Sequence, residues 1–348
     1  MDLLKCGQVS KRFRALSNDE YVWPKKFNLC YKKVPVGFLQ KLLESGCEYL
    51  SLSEAILKGT LNLKKTSRLK YLSLSGFVLE WNKENPEKML ESNCSLEKLS
   101  LSRCHLSSKL IDIISLQNGK TLRVLDLSRC TFCTNEKNCT HFCSGHSGQW
   151  TSVTRQSFKQ ILENCTELKE LNLSSTELCE ASVDILVSNL TSKIEKLDLF
   201  DIPCVGDKHV KTLVTRCNKL TDLNLGGETS ITRQSLKYVI ENLQSTLTKL
   251  NLQFTNVKFH LSDVYQLMNL EKLRLICYDN DGFGEIRRLK KMLSNVQIDD
   301  HNGNMRIATP YVMTGDHYGF WEINAKQEEL FKVHMKQDQP FFYVSQKD

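Results

Sequence analysis

Leu96-Glu97-Lys98-Leu99-Ser100-Leu101-Ser102-Arg103-Cys104 returns almost letter for letter as Leu122-Arg123-Val124-Leu125-Asp126-Leu127-Ser128-Arg129-Cys130. Both read L-x-x-L-x-L-x-x-C. The second Leu of this frame falls at Leu50, Leu72, Leu99, Leu125, Leu171, Leu197, Leu223, Leu250 and Leu273, at spacings of 22, 27, 26, 46, 26, 26, 27 and 23 residues. Self-similarity at such a period marks one supersecondary unit repeated along the chain, each copy burying its apolar face against the next.

The period and the three-apolar frame predict an α/β fold, a leucine-rich-repeat solenoid curved as a horseshoe. Each unit reads as strand, turn and helix. The helices carry apolar triplets at i, i+3, i+4: Leu110/Ile113/Ile114, Phe158/Ile161/Leu162, Val183/Leu186/Val187, Val210/Leu213/Val214 and Leu236/Val239/Ile240. That spacing aims one face of every helix at the strand layer. Thr154-Arg155-Gln156-Ser157-Phe158 recurs as Thr232-Arg233-Gln234-Ser235-Leu236, with Thr offered as a helix N-cap in both. Phe27-Asn28-Leu29 reads as a degenerate first strand before a helix at Val36–Glu44, and Val296-Gln297-Ile298 as the last strand. The expected organisation is helical at 1–26, solenoid at 27–298, and a C-terminal cap or tail at 299–348. The 46-residue spacing exceeds one repeat, so an inserted loop is expected at 131–150. Phe320-Trp321 and Phe341-Phe342-Tyr343 are too apolar for a purely disordered tail, and an open solenoid end needs covering.

The 348 residues are 41% hydrophobic and 25% charged, as in a folded water-facing protein, and no run of eighteen apolar residues offers a membrane span. The formal charge of +7 suits an acidic partner surface but is not clustered into a nucleic-acid stripe. The sequence contains fourteen cysteines, and most follow the repeat. Cys104 and Cys130 end the frame, where a side chain satisfies backbone groups at the turn, while Cys47, Cys94, Cys165 and Cys217 fall just ahead of the next repeat. Thiols placed for packing belong in a reducing compartment. The sequons at Asn93, Asn138, Asn164, Asn172 and Asn189 largely restate repeat text, and the N-terminus has no apolar leader. A cytoplasmic or nuclear location, with no membrane and no nucleic-acid partner, is the expectation.

Residues 2–23, DLLKCGQVSKRFRALSNDEYVW, place Leu3, Leu4, Val9, Phe13 and Leu16 at mostly helical spacing, with a Ser17-Asn18-Asp19 stop before Trp23-Pro24. This text resembles the second half of an F-box, whose D-L-L-x-C-x-x-V-S-K-x-F/W-R segment is followed by an acidic turn and Trp. The family's opening L-P-x-E segment and first helix are not in this text. The cysteine-bearing repeats are similar to those of F-box/leucine-rich-repeat proteins of the S-phase-kinase-associated type, over roughly residues 1–295. The resemblance implies a substrate-recognition subunit of an SCF-type (cullin–RING) ubiquitin ligase. Leu3, Leu4, Val9, Phe13 and Trp23 would bind the adaptor subunit and, through it, the cullin scaffold. A target protein would bind the concave repeat face, and in some relatives the C-terminal tail folds back along that face. The alternative is an interaction scaffold or decoy without adaptor binding.

Residues between the leucines of a strand point away from the helices and line the inner face. One row reads Ser73, Ser100, Asp126, Asn172, Asp198, Asn224, Asn251 and Arg274. A second reads Ser75, Ser102, Ser128, Ser174, Phe200, Gly226, Gln253 and Ile276. The row before the central Leu reads Tyr71, Lys98, Val124, Glu170, Lys196, Asp222, Lys249 and Lys272. None contains a nucleophile–base pair, a phosphate-cradling Gly loop or paired carboxylates, so no enzyme, catalytic residue or cofactor is expected. The larger residues lie late in the chain, which places target binding on Lys196, Phe200, Lys249, Gln253, Lys272, Arg274 and Ile276. The lysines would steer an acidic or phosphorylated target. The insertion holds Cys133, Cys139, His141, Cys143 and His146, but without a C-x-x-C pair. The purified chain is therefore expected to carry no stoichiometric zinc. One zinc per chain, lost in Cys139→Ser, would contradict this on elemental analysis.

Overall fold

The computed structural model describes residues 26–62, 68–76, 84–93, 95–132, 152–176, 178–270, 273–277, 284–293 and 296–300. The adaptor-binding expectations at Leu3, Leu4, Val9, Phe13 and Trp23 lie outside the described residues. So do Lys272, the Cys/His cluster of the insertion and everything after residue 300.

The frame becomes one parallel sheet of eleven strands in chain order. The strands are β1 (Lys26–Asn28), β2 (Tyr49–Ser51), β3 (Tyr71–Ser73), β4 (Lys98–Ser100), β5 (Val124–Asp126), β6 (Glu170–Asn172), β7 (Lys196–Asp198), β8 (Asp222–Asn224), β9 (Lys249–Asn251), β10 (Arg274–Cys277) and β11 (Gln297–Asp300). Parallel neighbours require a crossover, and among the described residues a helix lies in each crossover except that from β2 to β3. The described helices are α1 (Val36–Glu44), α2 (Glu84–Glu91), α3 (Ser108–Ile113), α4 (Ser152–Asn164), α5 (Glu180–Asn189), α6 (Asp207–Arg216), α7 (Arg233–Leu243), α8 (Leu261–Leu267) and α9 (Gly284–Met292). The architecture is a repeating α/β one, consistent with a solenoid.

Central apolar residues pair in register across the sheet: Phe27 with Leu50, then Leu72, Leu99, Leu125, Leu171, Leu197, Leu223 and Leu250. Every leucine of this column is buried, as are all five helical triplets. The core is thus a continuous layer between sheet and helices. The insertion leaves it undisturbed, since Leu125 still pairs with Leu171. Thr131 and Phe132, assigned to the inserted loop, instead form a short strand parallel to His105–Leu106.

The expected register fails in one place. Leu250 pairs with Leu275, not Leu273, and Asn251 with Ile276. Arg274 N–H donates to the Thr248 carbonyl at 2.8 Å, the role Lys249 N–H plays toward Thr221 one repeat earlier. Leu273 N–H closes a turn onto the Leu270 carbonyl instead, at 3.0 Å. The triplet Leu270, Leu273, Leu275 offers two leucines for the central position, and this turn selects the later one. Leu273 stays buried. Arg274 therefore joins the row before the central residue, and Ile276 the row directly after it.

A second periodic feature escapes the leucine frame. Four residues after each central position the backbone is left-handed: Tyr31, Glu54, Gly76, Arg103, Arg129, Ser175, Asp201, Gly227 and Phe254, with φ between 52° and 92°. Each of these residues turns the chain out of its strand. Only Gly76 and Gly227 adopt this conformation without cost, whereas an L-residue is strained by roughly 1–2 kcal/mol. Arg129→Gly is accordingly expected to raise stability by up to ~1 kcal/mol after the extra freedom of an unfolded glycine is counted, while Arg129→Val lowers it. Thermal melts of the two variants check this.

The cysteine slots serve the backbone, as their spacing implies. Cys104 Sγ donates to the Leu74 carbonyl (3.1 Å) and Cys130 Sγ to that of Leu101 (3.0 Å). Thr176 and Thr255 hold the same place and donate to Leu173 and Leu252. Burial pushes the thiols of Cys47 and Cys165 up to about 12 and that of Cys217 to about 11, so none is a nucleophile at neutral pH. Asn93 and Asn172 are buried; the Asn93 amide donates to the Leu69 carbonyl at 2.8 Å.

The helix layer is stitched by polar contacts between repeats. Asp207 at the start of α6 accepts from the backbone and side chains of Thr232 and Ser235. Arg233 then grips Asp263 with Nε and Nη2, at 2.7 and 2.8 Å. Burial opposes ionisation of both carboxyls, but these donors outweigh it and hold their pKa values below the usual range. Thr232 caps α7 by accepting from Gln234 N–H. Thr154, expected to be its counterpart, lies inside α4, which begins at Ser152.

Candidate functional site

The row directly after the central leucines turns inward on the backbone. The side-chain oxygens of Asp126, Asn172, Asp198, Asn224 and Asn251 each accept the N–H two residues on, at 2.9–3.2 Å. Such Asx turns terminate five successive strands and tie these side chains to the chain itself. Asn172, Asp198, Asn224 and Asn251 are buried. This row therefore shapes the surface more than it offers contacts.

In the early repeats the serines bond to one another. Ser53 meets Ser73 at 2.8 Å and Ser75 meets Ser100 at 2.7 Å. Ser100 donates to Asp126 Oδ2 (2.8 Å) and Ser128 to Asp126 Oδ1 (2.7 Å), with Ser102 2.9 Å from Ser128. The strip is a continuous hydroxyl ladder with Asp126 as its acceptor. Satisfied hydroxyls give a partner little to gain by binding.

The later repeats differ. Phe200, half-exposed, brings its Cδ2–Cε2 edge against Gly226: a Cβ on Gly226 would sit 2.8 Å from the ring's Cδ2 and 3.0 Å from the Gln253 carbonyl. The missing Cβ of Gly226 is thus what lets the ring approach the next repeat this closely. Gln253 is half-buried beside it in register. Phe254, in the left-handed row, is 43% exposed and adds a second aromatic that the strand rows could not reveal. Burial raises the Glu228 carboxyl, and Asp201 adds to that effect.

The row before the central leucines is charged in both signs. Lys196 Nζ lies 3.0 Å from Glu170 Oε1, and both are mostly buried. Asp222, pushed up by burial, is pulled back in part by the charges of Lys196 and Lys249 on either side. Arg274 extends the row in place of Lys272. At the other end Tyr49 stacks on Tyr71 with centroids 6.5 Å apart, and Lys26 Nζ sits 4.9 Å from the Tyr49 ring. This aromatic–cation corner of β1–β3 lies ahead of the row that starts at Tyr71, in the repeats whose central residues are Phe27 and Leu50. The structure thus brings Lys196, Phe200, Lys249, Gln253 and Arg274 onto neighbouring strands, and Ile276 one row inward of its expected place.

Among the described residues, no group of three or more His, Cys, Asp or Glu side chains could hold a metal ion, and no helix is long and apolar enough to cross a membrane. No known protein family's sequence profile matches the chain. Among solved structures the chain is similar to leiomodin-1 actin-binding site 2 (ABS2), at 14% identity and a TM-score of 0.29, over 54% of this chain and 99% of that one. A likeness this slight decides nothing about what the chain binds.

Proposed function

We propose that the chain is a protein-recognition module that uses the strand face of its solenoid to hold a target protein, and that it does so as the substrate-recognition subunit of an SCF-type ubiquitin ligase. One observation carries the recognition reading: the strand face passes from a self-satisfied hydroxyl ladder to an aromatic platform, Phe200 on Gly226 with Gln253 and Phe254 alongside. Interface energy concentrates in a few large anchors surrounded by near-neutral contacts, and Phe200 and Phe254 are large side chains of the kind that serve as anchors. The row of Lys196, Lys249 and Arg274 would steer an acidic or phosphorylated target and make association sensitive to salt. The ligase reading rests on the resemblance of Asp2 to Trp23 to an F-box. In it Leu3, Leu4, Val9, Phe13 and Trp23 join the adaptor, and the repeats raise the target's effective concentration beside the ubiquitin-charged enzyme without making or breaking a bond.

The test is a pull-down with the purified adaptor subunit. The ligase reading expects weak capture by the full chain, strengthened when an upstream L-P-x-E helix is supplied and abolished by Leu4→Asp plus Trp23→Ala. Failure of capture by both forms leaves a leucine-rich scaffold without a ligase link.

A further inference from the structure

At α8 the residue pattern of the helix layer changes. Core positions Val210, Leu236 and Val264 correspond in α6, α7 and α8, so Leu261 stands where Asp207 and Arg233 stand in the two preceding helices. By the same correspondence Tyr265 takes the place of Lys211 and Lys237. Asp207 and Arg233 each bind the following repeat, whereas leucine has no such capacity. Leu261 is 49% and Tyr265 63% exposed, one turn apart on a single face. A groove of about 360 Å³ is lined by Leu261 together with Phe259, His260, Val264, Arg288, Leu289 and Met292 of α8, α9 and the segment before α8.

Among the described side chains the exposed charge at the rim has one sign. Arg288 and His260 line the groove, and Lys258 and Lys291 are exposed next to its lining residues. The neighbouring carboxylate, Asp263, is buried and committed to Arg233 and to the His260 N–H. Among the described side chains, the exposed charge around this groove is therefore cationic.

We propose that the α8–α9 groove is a second docking surface, for a partner-protein segment that combines adjacent bulky apolar side chains with flanking carboxylates. The apolar pair enters between α8 and α9 against Leu261 and Tyr265, and the carboxylates face Arg288, Lys258 and Lys291. The surface belongs to the helix layer, so it is separate from the strand-face platform at Phe200 and does not depend on it.

The experiment measures fluorescence anisotropy of three labelled short peptides with the full chain, repeating Glu-Glu-Leu-Phe, Lys-Lys-Leu-Phe and Glu-Glu-Ser-Ser. The first binds, and its affinity falls about tenfold or more with Leu261→Ser plus Tyr265→Ser, and separately with the surface reversal Arg288→Glu, a loss of about 1.4 kcal/mol or more. Phe200→Ala leaves it unchanged, and circular dichroism confirms that each variant folds. Four outcomes overturn the proposal. They are no binding of the first peptide, equal binding of the lysine peptide, and binding indifferent to all the groove variants. The fourth is self-association in sedimentation that the groove variants abolish while the peptide does not compete, which assigns the face to a second copy.

Discussion

Leu125→Ala is expected to cost about 2–5 kcal/mol of unfolding free energy, while Leu116→Ala, nine residues earlier at the end of the preceding repeat, changes stability by less than ~0.5 kcal/mol. Leu125 is fully buried in the central column, paired in register with Leu99 and Leu171. Truncating it removes buried methylenes and leaves a cavity that close-packed neighbours fill only in part. Leu116 lies in the π-helical turn Ile114–Asn118 and is 72% exposed. A solenoid adds a second expectation. Each repeat touches only its neighbours, so the lesion at Leu125 weakens β4 to β6 more than β8 to β10. Hydrogen exchange on the variant should show faster exchange around 98–100 and 170–172 than around 222–224 and 249–251. Uniform acceleration would mean that the chain unfolds as one unit.

The next largest effect concerns a single carboxyl. Burial raises the Asp198 pKa from 3.8 to about 6, with the Phe200 N–H and Asn224 pulling it back only in part. Because the folded value lies above the unfolded one, the fold favours the protonated acid. The stability linked to this group is therefore complete below about pH 4 and is lost as pH rises through 6. Asn172, Asn224 and Asn251 make the same turn without a charge. Asp198→Asn is then expected to stabilise the chain at pH 7.5 by on the order of 1–3 kcal/mol and to have little effect near pH 4. Asp207 and Asp263 act in the opposite sense: their lowered values give stability that disappears as the pH falls below the ordinary carboxylate range. Urea titrations of both proteins across this window separate the two effects. A variant no more stable than the parent at pH 7.5 would show that the charge at residue 198 is better solvated than its burial implies.

Much of the fold could be read in advance because one periodic frame repeats with little variation, and each copy reports the same burial. The central column, the helical triplets, the first strand and the role of Cys104 and Cys130 all followed from it. The failures are places where two readings fit the same residues. Leu273 and Leu275 both suit the centre of their strand, and a turn at Leu270 decides between them. Thr154 suits an N-cap, yet the helix begins earlier, at Ser152. The left-handed row was invisible because left-handed backbone has no single residue signature: arginine, tyrosine and phenylalanine occupy it as well as glycine. The candidate site was legible only in outline. Phe200 and Gln253 stood out by size, but that Phe200 rests on Gly226, or that Lys196 faces Glu170, depends on which residues adjacent repeats bring together. The same holds for the exposed face of α8, where the signal is a departure from α6 and α7 visible only once the helices are aligned.

The central claim is that the strand face recognises a target through its later repeats. Quantitative affinity purification of the full chain tests this most directly, comparing the parent with Phe200→Ala plus Gln253→Ala and with Ser100→Ala plus Ser102→Ala, after each is shown to fold. The account predicts that a target held by the parent is lost from the Phe200/Gln253 variant and kept by the serine variant. Loss with the serine pair and retention with the Phe200/Gln253 pair would contradict it.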